Sequence, residues 1–163
     1  MEPKPGKLSA SEAYAVALRL LTRRGYAVAE LSGRLLDKGY SATDVDAALA
    51  RCRELGYLDD AHFAQQRALA LLRNGRAVGR RARLDLRHRG IAAELATAAV
   101  AAAESEHPPG ELLQAQLARR YPHFEYATAD AASRRRIINF FLRRGFDLSL
   151  VLTTLQTEKD NRS

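Results

Sequence analysis

Residues 137–155 read IINFFLRRGFDLSLVLTTL, and the Arg-Gly-Phe at the centre of this stretch belongs to a pattern that occurs three times in the chain. The three triplets are Lys38-Gly39-Tyr40, Arg89-Gly90-Ile91 and Arg144-Gly145-Phe146. Each consists of a basic residue, a glycine and a large apolar residue, and the glycines lie 51 and then 55 residues apart. A period of this length indicates tandem structural repeats.

The residues around the three glycines also agree. Apolar residues stand eight and four positions before each glycine and six and ten positions after it: Leu31, Leu35, Val45 and Leu49; Ala82, Leu86, Ala96 and Val100; Ile137, Phe141, Val151 and Leu155. A spacing of four places each pair on one face of a helix. Glycine fits the position just past a helix end, where the backbone turns left-handed. Each copy of the pattern therefore predicts a helix that ends at the glycine and a second helix that follows it.

A further helix is predicted before each of these pairs. The first covers about residues 11–24, the second opens at the capping residues Asp59-Asp60 and ends before Gly75, and the third follows Pro108-Pro109-Gly110 and ends before Pro122. Residues 121–130 are expected to form a loop. No run of β-branched or aromatic residues alternates with period two. We expect an all-α fold of three tandem three-helix repeats, about nine helices in an elongated, curved array.

The predicted domains follow from this pattern. Repeat 1 covers residues 11–57, repeat 2 covers 58–107 and repeat 3 covers 108–158, with disordered segments at 1–10 and 159–163. The chain has one cysteine, Cys52, which we interpret as a small apolar residue on a packed helix. Without a signal peptide or an apolar run long enough to span a bilayer, we expect a cytoplasmic monomer that does not bind membranes.

The basic charge of the chain is concentrated in two segments. The formal net charge is +7, yet residues 73–89 alone carry +6, and residues 134–144 carry five arginines and no acid. The corresponding helix of repeat 1, residues 28–38, holds charges that cancel. The candidate binding residues are Arg76, Arg80, Arg81, Arg83, Arg87, Arg89, Arg134, Arg135, Arg136, Arg143 and Arg144.

These arginines favour a polyanionic or acidic partner. Arginine forms fixed, two-pronged hydrogen bonds to phosphate or carboxylate, and unrelieved like charges at helical spacing destabilise a helix until an anion neutralises them. Base-specific readout is not indicated, since the basic helices lack the amide side chains and stacking aromatics that it uses, apart from Asn139. The alternative is a solvated positive helix face with no partner, and a resemblance to a helix-turn-helix is weak.

The sequence shows no residue pattern that is typical of an active site or a metal site. His62, His88, His107 and His123 are scattered, and the carboxylate pairs at 44 and 46 and at 59 and 60 lie at predicted helix starts. Glycine-rich phosphate loops and nucleophile elbows do not occur. We therefore expect a binding protein without catalytic activity, metal or cofactor.

Two blocks of sequence resemble the RecX family. One is Gly56-Tyr57-Leu58-Asp59-Asp60 followed by Phe63-Ala64, with Gly79-Arg80-Arg81 leading to Arg89-Gly90-Ile91 downstream. The other is Arg134-Arg135-Arg136 followed by Phe141-Leu142-Arg143-Arg144-Gly145-Phe146. The similarity covers about residues 11–157. Ala82 departs from it, since the family usually carries a larger aliphatic residue there.

The resemblance implies three three-helix units and a regulator of recombination, DNA repair and the SOS response. It implies binding along the groove of the RecA–DNA filament, with contacts to single- and double-stranded DNA, and inhibition of RecA ATP hydrolysis, strand exchange and co-protease activity. Residues 56–60 are then expected to set the angle between the first two repeats. The alternative is a sequence-independent nucleic-acid-binding regulator that acts without RecA. A purely structural scaffold offers no reason for the clustered arginines.

Overall fold

The computed structural model describes residues 9–157, and all regular secondary structure in that range is helical. The prediction of an all-α chain is confirmed. Every helix of this range is too short or too polar to cross a membrane. The nine helices are α1 (Ala10–Leu21), α2 (Val28–Asp37), α3 (Ala42–Glu54), α4 (Asp60–Arg73), α5 (Gly79–His88), α6 (Ala93–Glu106), α7 (Pro109–Arg120), α8 (Ala131–Arg143) and α9 (Leu148–Thr157).

The first helix lies slightly upstream of its predicted position. The Ser9 side chain accepts from the Glu12 amide while the Glu12 carboxylate accepts from the Ser9 amide, and this capping box starts α1 at Ala10. Residues 9 and 10 therefore belong to the helix and its cap, although the sequence assigned them to a disordered segment. The Thr22 hydroxyl donates to the Arg19 carbonyl (2.8 Å), which competes with continuation of the helix. The rest of that segment, and the predicted tail at 159–163, lie outside the described residues.

The repeat pattern corresponds to the structure position by position. Gly39, Gly90 and Gly145 follow the ends of α2, α5 and α8 with φ of 92°, 84° and 93°, the left-handed conformation that the sequence predicted. All twelve apolar positions around these glycines are buried, and none is more than 4% exposed. Residues 121–130 form the expected loop.

The helices pack within three consecutive groups. The most extensive helix pairs are α1 with α3, α4 with α6, and α5 with α6, and α9 contacts both α7 and α8. The buried side chains form two clusters. One lies within α1–α3 and extends to Leu58, and the other runs continuously through α4–α9 and includes Ala27 from the start of α2. The second and third groups thus share one core, while the first group largely has its own.

The end of α8 abuts the start of α5. The Val78 amide, at the N-cap of α5, donates to the carbonyl of Arg144, at the C-cap of α8 (2.9 Å). A Cβ on Gly145 would overlap the Val78 carbonyl oxygen and lie 2.8 Å from the Arg81 Cβ. This approach aligns the negative end of one helix dipole with the positive end of the next.

The end of α5 abuts the start of α2 in the same way. A Cβ on Gly90 would overlap the Cβ of Ala29, the second residue of α2. The Asp60 carboxylate, in the first turn of α4, accepts from the Val28 amide at the start of α2 (2.8 Å). The helices α8, α5 and α2 are therefore joined end to end, and we call this series the spine.

An ion-pair chain also connects the first two groups. Arg24 bonds to Glu30 (2.8 Å), Glu30 to Arg89 (3.2 Å), and Arg89 to Asp85 (3.2 Å). Arg67 completes the chain with a two-pronged bond to Asp85 (2.8 and 3.0 Å). All five side chains are at least partly shielded from solvent, with exposed fractions of 20–41%.

We expect alanine substitutions at two glycines to change stability in opposite directions. Gly145→Ala places a Cβ against Val78 and Arg81 at a positive φ, so it should lower the free energy of unfolding by about 2 kcal/mol or more. Gly33→Ala, inside α2, meets nothing within 4 Å and should raise it by about 0.5–1 kcal/mol. Urea denaturation measures both, and equal effects would contradict the close approach at Gly145.

The ion-pair chain predicts a pH dependence of stability. The hydrogen bond from Arg67 holds the pKa of Asp85 below its usual range. Such a carboxyl adds stability above the pKa of a free aspartate and loses it as the pH falls through the folded value. Asp85→Asn should therefore lower the free energy of unfolding by about 1 kcal/mol at about pH 6 and by much less at about pH 3.

Asp46→Asn, at an exposed position on α3, is the control. Its free energy of unfolding should follow the wild-type pH profile. A profile for Asp85→Asn that parallels the wild type would show that the ion-pair chain does not contribute to stability.

Candidate functional site

Three arginines of the central spine helix form one outward face. Arg80, Arg83 and Arg87 recur at intervals of three and four residues on α5, whose opposite side is buried at Ala82 and Leu86. Arg80 and Arg83 have no ion pair or side-chain hydrogen bond within residues 9–157, while Arg87 donates one N–H to the Ile91 carbonyl (2.8 Å) and keeps its other donors. We call this the α5 face.

A second arginine face lies on α8. Arg135, Arg136 and Arg143 are exposed, with Asn139 between them, whereas Ile137, Phe140 and Phe141 fill the core on the other side. In the described part of the chain these three arginines have neither a carboxylate partner nor a side-chain hydrogen bond. We call this the α8 face.

The helices that carry the two faces meet at the joint between α8 and α5. Arg143 and Arg144 end α8, and Arg80 and Arg81 lie in the first turn of α5, where the Arg81 Cβ faces Gly145. Arg76, in the segment that precedes α5, is exposed as well. The sequence placed these residues in two clusters 45 or more positions apart, and the fold brings the ends of the clusters together.

Three predicted site residues also make contacts inside the molecule. Arg89 lies in the ion-pair chain between Glu30 and Asp85. Arg144 donates to the Gly75 carbonyl (3.1 Å) and stacks 3.6 Å from the Phe140 ring centroid. Arg134 donates to the Ala127 carbonyl (3.0 Å) and lies over the Tyr126 ring. These contacts give the three a structural role that membership of an arginine run did not predict.

Two further exposed arginines lie outside both arginine runs of the sequence. Arg119 and Arg120 end α7 and lie beside Arg144, around a cavity at the junction of the second and third groups. The Arg120 guanidinium stacks 4.6 Å from the Phe140 ring centroid. No sequence pattern relates them to Arg144, because their proximity to it depends on tertiary packing.

The segment 56–60 connects the first two groups. Gly56 has a φ of 76°, Leu58 is buried in the core of the first group, and the Asp59 side chain caps α4. Asp60 does not simply cap its own helix, as its sequence position suggested, but accepts from the Val28 amide of α2. This bond ties α4 to the first turn of α2, consistent with a role for the segment in setting the angle between the two groups.

The arrangement provides donors and positive charge. Within the described residues no cluster of histidine, cysteine and carboxylate side chains could hold a metal ion. Cys52 is buried in the core of the first group, and burial raises the pKa of its thiol. The exposed guanidinium groups can bind anionic groups such as phosphates and carboxylates.

Known proteins match both the sequence and the fold. The family model for the first three-helix domain of RecX matches residues 13–52. The regulatory protein RecX of Syntrophotalea carbinolica is 41% identical over 91% of this chain and 97% of its own length. RecX of Trichlorobacter lovleyi is 33% identical over 90% of this chain and 95% of its own length. RecX of Legionella pneumophila strain Corby is 31% identical over 93% of this chain and 97% of its own length.

Two crystal structures share the fold at low sequence identity. RecX from Lactobacillus salivarius superposes with a TM-score of 0.68 at 20% identity, covering 90% of this chain and 94% of that one. A second crystal structure of a regulatory protein RecX superposes with a TM-score of 0.67 at 18% identity and covers 89% of this chain and 70% of that one. With relatives above 30% identity along almost the whole sequence, the chain belongs to the RecX family of regulatory proteins.

Proposed function

We propose that this chain binds along the groove of a RecA–DNA filament and inhibits ATP hydrolysis, strand exchange and co-protease activity of the recombinase. It acts by occupying the groove and carries out no reaction itself. Membership of the RecX family supports this proposal, since the relatives are named regulatory proteins. The cytoplasm, where a recombinase acts on the chromosome, is the proposed location.

The observation that carries the proposal is uncompensated charge along the spine. The helices α5 and α8 meet at their ends, contain 10 and 13 residues, and are roughly 15 and 20 Å long. Their exposed arginines repel one another at helical spacing, which destabilises the free helices by a few tenths of a kcal/mol per pair, in rough terms. An anionic partner that runs along the spine removes this repulsion.

A filament groove offers such a partner. It is long and is lined by DNA phosphates and by protein surface, so an elongated body can contact several protomers at once. Because many weak contacts act together on one molecule, affinity rises without a single deep binding site. A body that occupies this groove also excludes an incoming DNA duplex from the same space.

The second candidate is a regulator that binds nucleic acid without the recombinase. The same exposed arginines favour it, since phosphate contacts alone give sequence-independent affinity. The two candidates differ in whether the recombinase changes the affinity, and this difference can be measured.

Charge reversal on α5 and α8 should strongly weaken inhibition. The variant Arg80→Glu/Arg83→Glu/Arg136→Glu changes two exposed side chains and the half-buried Arg83, none of which has an internal partner in the described structure. We expect it to fold and to lose at least about tenfold in potency against RecA ATP hydrolysis, since charge-assisted hydrogen bonds contribute about 1.5–3 kcal/mol each.

The matched control is Arg19→Glu/Arg23→Glu/Arg53→Glu, on α1, the turn after it and α3, away from the spine. It changes net charge by the same amount, at exposed positions of the first group. Inhibition should remain close to that of the wild type, with circular dichroism used to check helicity of both variants. If the two variants inhibit equally, the spine arginines are not the binding surface.

A salt titration separates the two candidates. We expect the protein to bind recombinase-coated single-stranded DNA more tightly than naked DNA at about 0.15 M salt, with an affinity that falls steeply as salt rises. The triple spine variant should reduce the slope of log affinity against log salt by up to about three if each arginine contacts a phosphate. Equal affinity for coated and naked DNA would favour the regulator that acts without the recombinase.

A further inference from the structure

A half-enclosed cavity of about 290 Å³ lies at the junction of the second and third groups. It is formed where the turn after α4 meets the end of α7 and the end of α8. Its volume is at the small end of the range for ligand sites. It is separate from the α5 and α8 faces, and its walls are Arg119, Arg120, Arg144, Gln116, Phe140 and the turn at Asn74-Gly75.

The walls carry three positive charges and no carboxylate. Arg144 and Arg120 both stack on Phe140, at 3.6 and 4.6 Å from the ring centroid, so one aromatic side chain holds two guanidinium groups in place. Partial burial lowers the pKa of Arg144, and the charge of Arg120 lowers it further. Like charges are therefore held close together, and no ion pair within the described residues relieves their repulsion.

The cavity also contains a buried donor without a partner. Gln116 is 9% exposed, and its Nε2 has no hydrogen-bond partner in the described structure. The Gln116 side chain lies so close to Gly75 that a Cβ on that glycine would overlap the Gln116 amide group. The Gly75 backbone therefore holds this amide group in the cavity wall. A buried polar group that lacks a partner costs roughly 1–3 kcal/mol, which an acceptor in the cavity would recover.

We propose that this cavity binds a phosphate group, with the Gln116 amide as a fixed donor and the three guanidinium groups as its charge partners. A phosphate presents three or four acceptor oxygens, which suits several donors converging from different helices better than the two oxygens of a carboxylate. Because guanidinium groups already stack on Phe140, a nucleobase cannot stack on this ring. Binding of a nucleic-acid phosphate at the cavity would therefore not depend on nucleotide sequence. The inference goes beyond the proposed function and does not require the recombinase.

The test replaces the neutral amide by a carboxylate. In Gln116→Glu the new anion should occupy the place of the ligand and pair with the arginines. We expect affinity for inorganic phosphate, measured by titration calorimetry, to fall by about tenfold or more. The melting temperature in phosphate-free buffer should rise, whereas a carboxylate buried in a merely structural position would lower it.

The matched control is Gln114→Glu, which adds the same charge at an exposed position of the same helix. It should keep its phosphate affinity within about twofold, a change of less than roughly half a kcal/mol. A second variant, Arg119→Gln, removes one exposed guanidinium and should weaken phosphate binding even if Gln116→Glu does not fold. Equal losses in Gln116→Glu and Gln114→Glu, or no loss in any variant, would overturn the proposal.

A parallel measurement with a short oligodeoxythymidylate identifies the source of the phosphate. If Gln116→Glu loses affinity in both titrations while Gln114→Glu does not, the site accepts free and nucleic-acid phosphates alike. If Gln116→Glu loses affinity for inorganic phosphate alone, the site binds free phosphate. If the variant loses affinity for the oligonucleotide alone, the site binds the DNA backbone. If only binding to the recombinase filament is lost, the ligand is a protein carboxylate and the phosphate assignment fails.

Discussion

Gly90 and Gly145 lack side chains where the backbone after one helix presses against the first turn of another, and the arrangement of the repeats depends on this contact. At both positions a Cβ would occupy space already filled, by Ala29 in one case and by Val78 and Arg81 in the other. The close approach permits the Val78–Arg144 backbone hydrogen bond and lets the helix dipoles run head to tail. The spine, and with it the placement of the arginine faces, follows from two residues that contribute no side chain.

The two joints use different interactions away from the glycines. Between the first two groups the main contacts are the five-membered ion-pair chain and the Asp60–Val28 bond, while most apolar side chains stay in separate clusters. Between the second and third groups a single apolar core is shared. Salt weakens ion pairs and leaves apolar burial intact or stronger, so the two joints respond differently to ionic strength.

The fold was largely predictable because its signals are local. Apolar spacing, glycine stops and capping residues are determined within a few positions, and all twelve repeat positions are buried as the period indicated. The start of α1 differs from the predicted start at residue 11 because the capping box at Ser9 lies one turn upstream of the apolar pattern. Local patterns contain enough information to place helices but not to place the groups relative to one another.

The candidate site was only partly predictable for the same reason. Arg80 and Arg136 are exposed, as expected for residues opposite the apolar face. Arg89 and Arg144 have the same sequence context as these residues, yet their partners, Glu30 and Gly75, are 59 and 69 positions away. The cavity at Gln116 depends on three elements that meet only in the folded chain. No pattern within one helix distinguishes such residues from their exposed neighbours.

The spine also has a direction. Each joint runs from the carboxyl end of a later helix to the amino end of an earlier one, and the charge changes along it, from balanced on α2 to basic on α5 and α8. A filament of identical subunits stacked head to tail is likewise polar, with two distinguishable ends. Reversing the molecule on such a filament would place its neutral end where the basic end had been. The filament binding proposed above therefore implies two orientations of different energy, with one of them preferred.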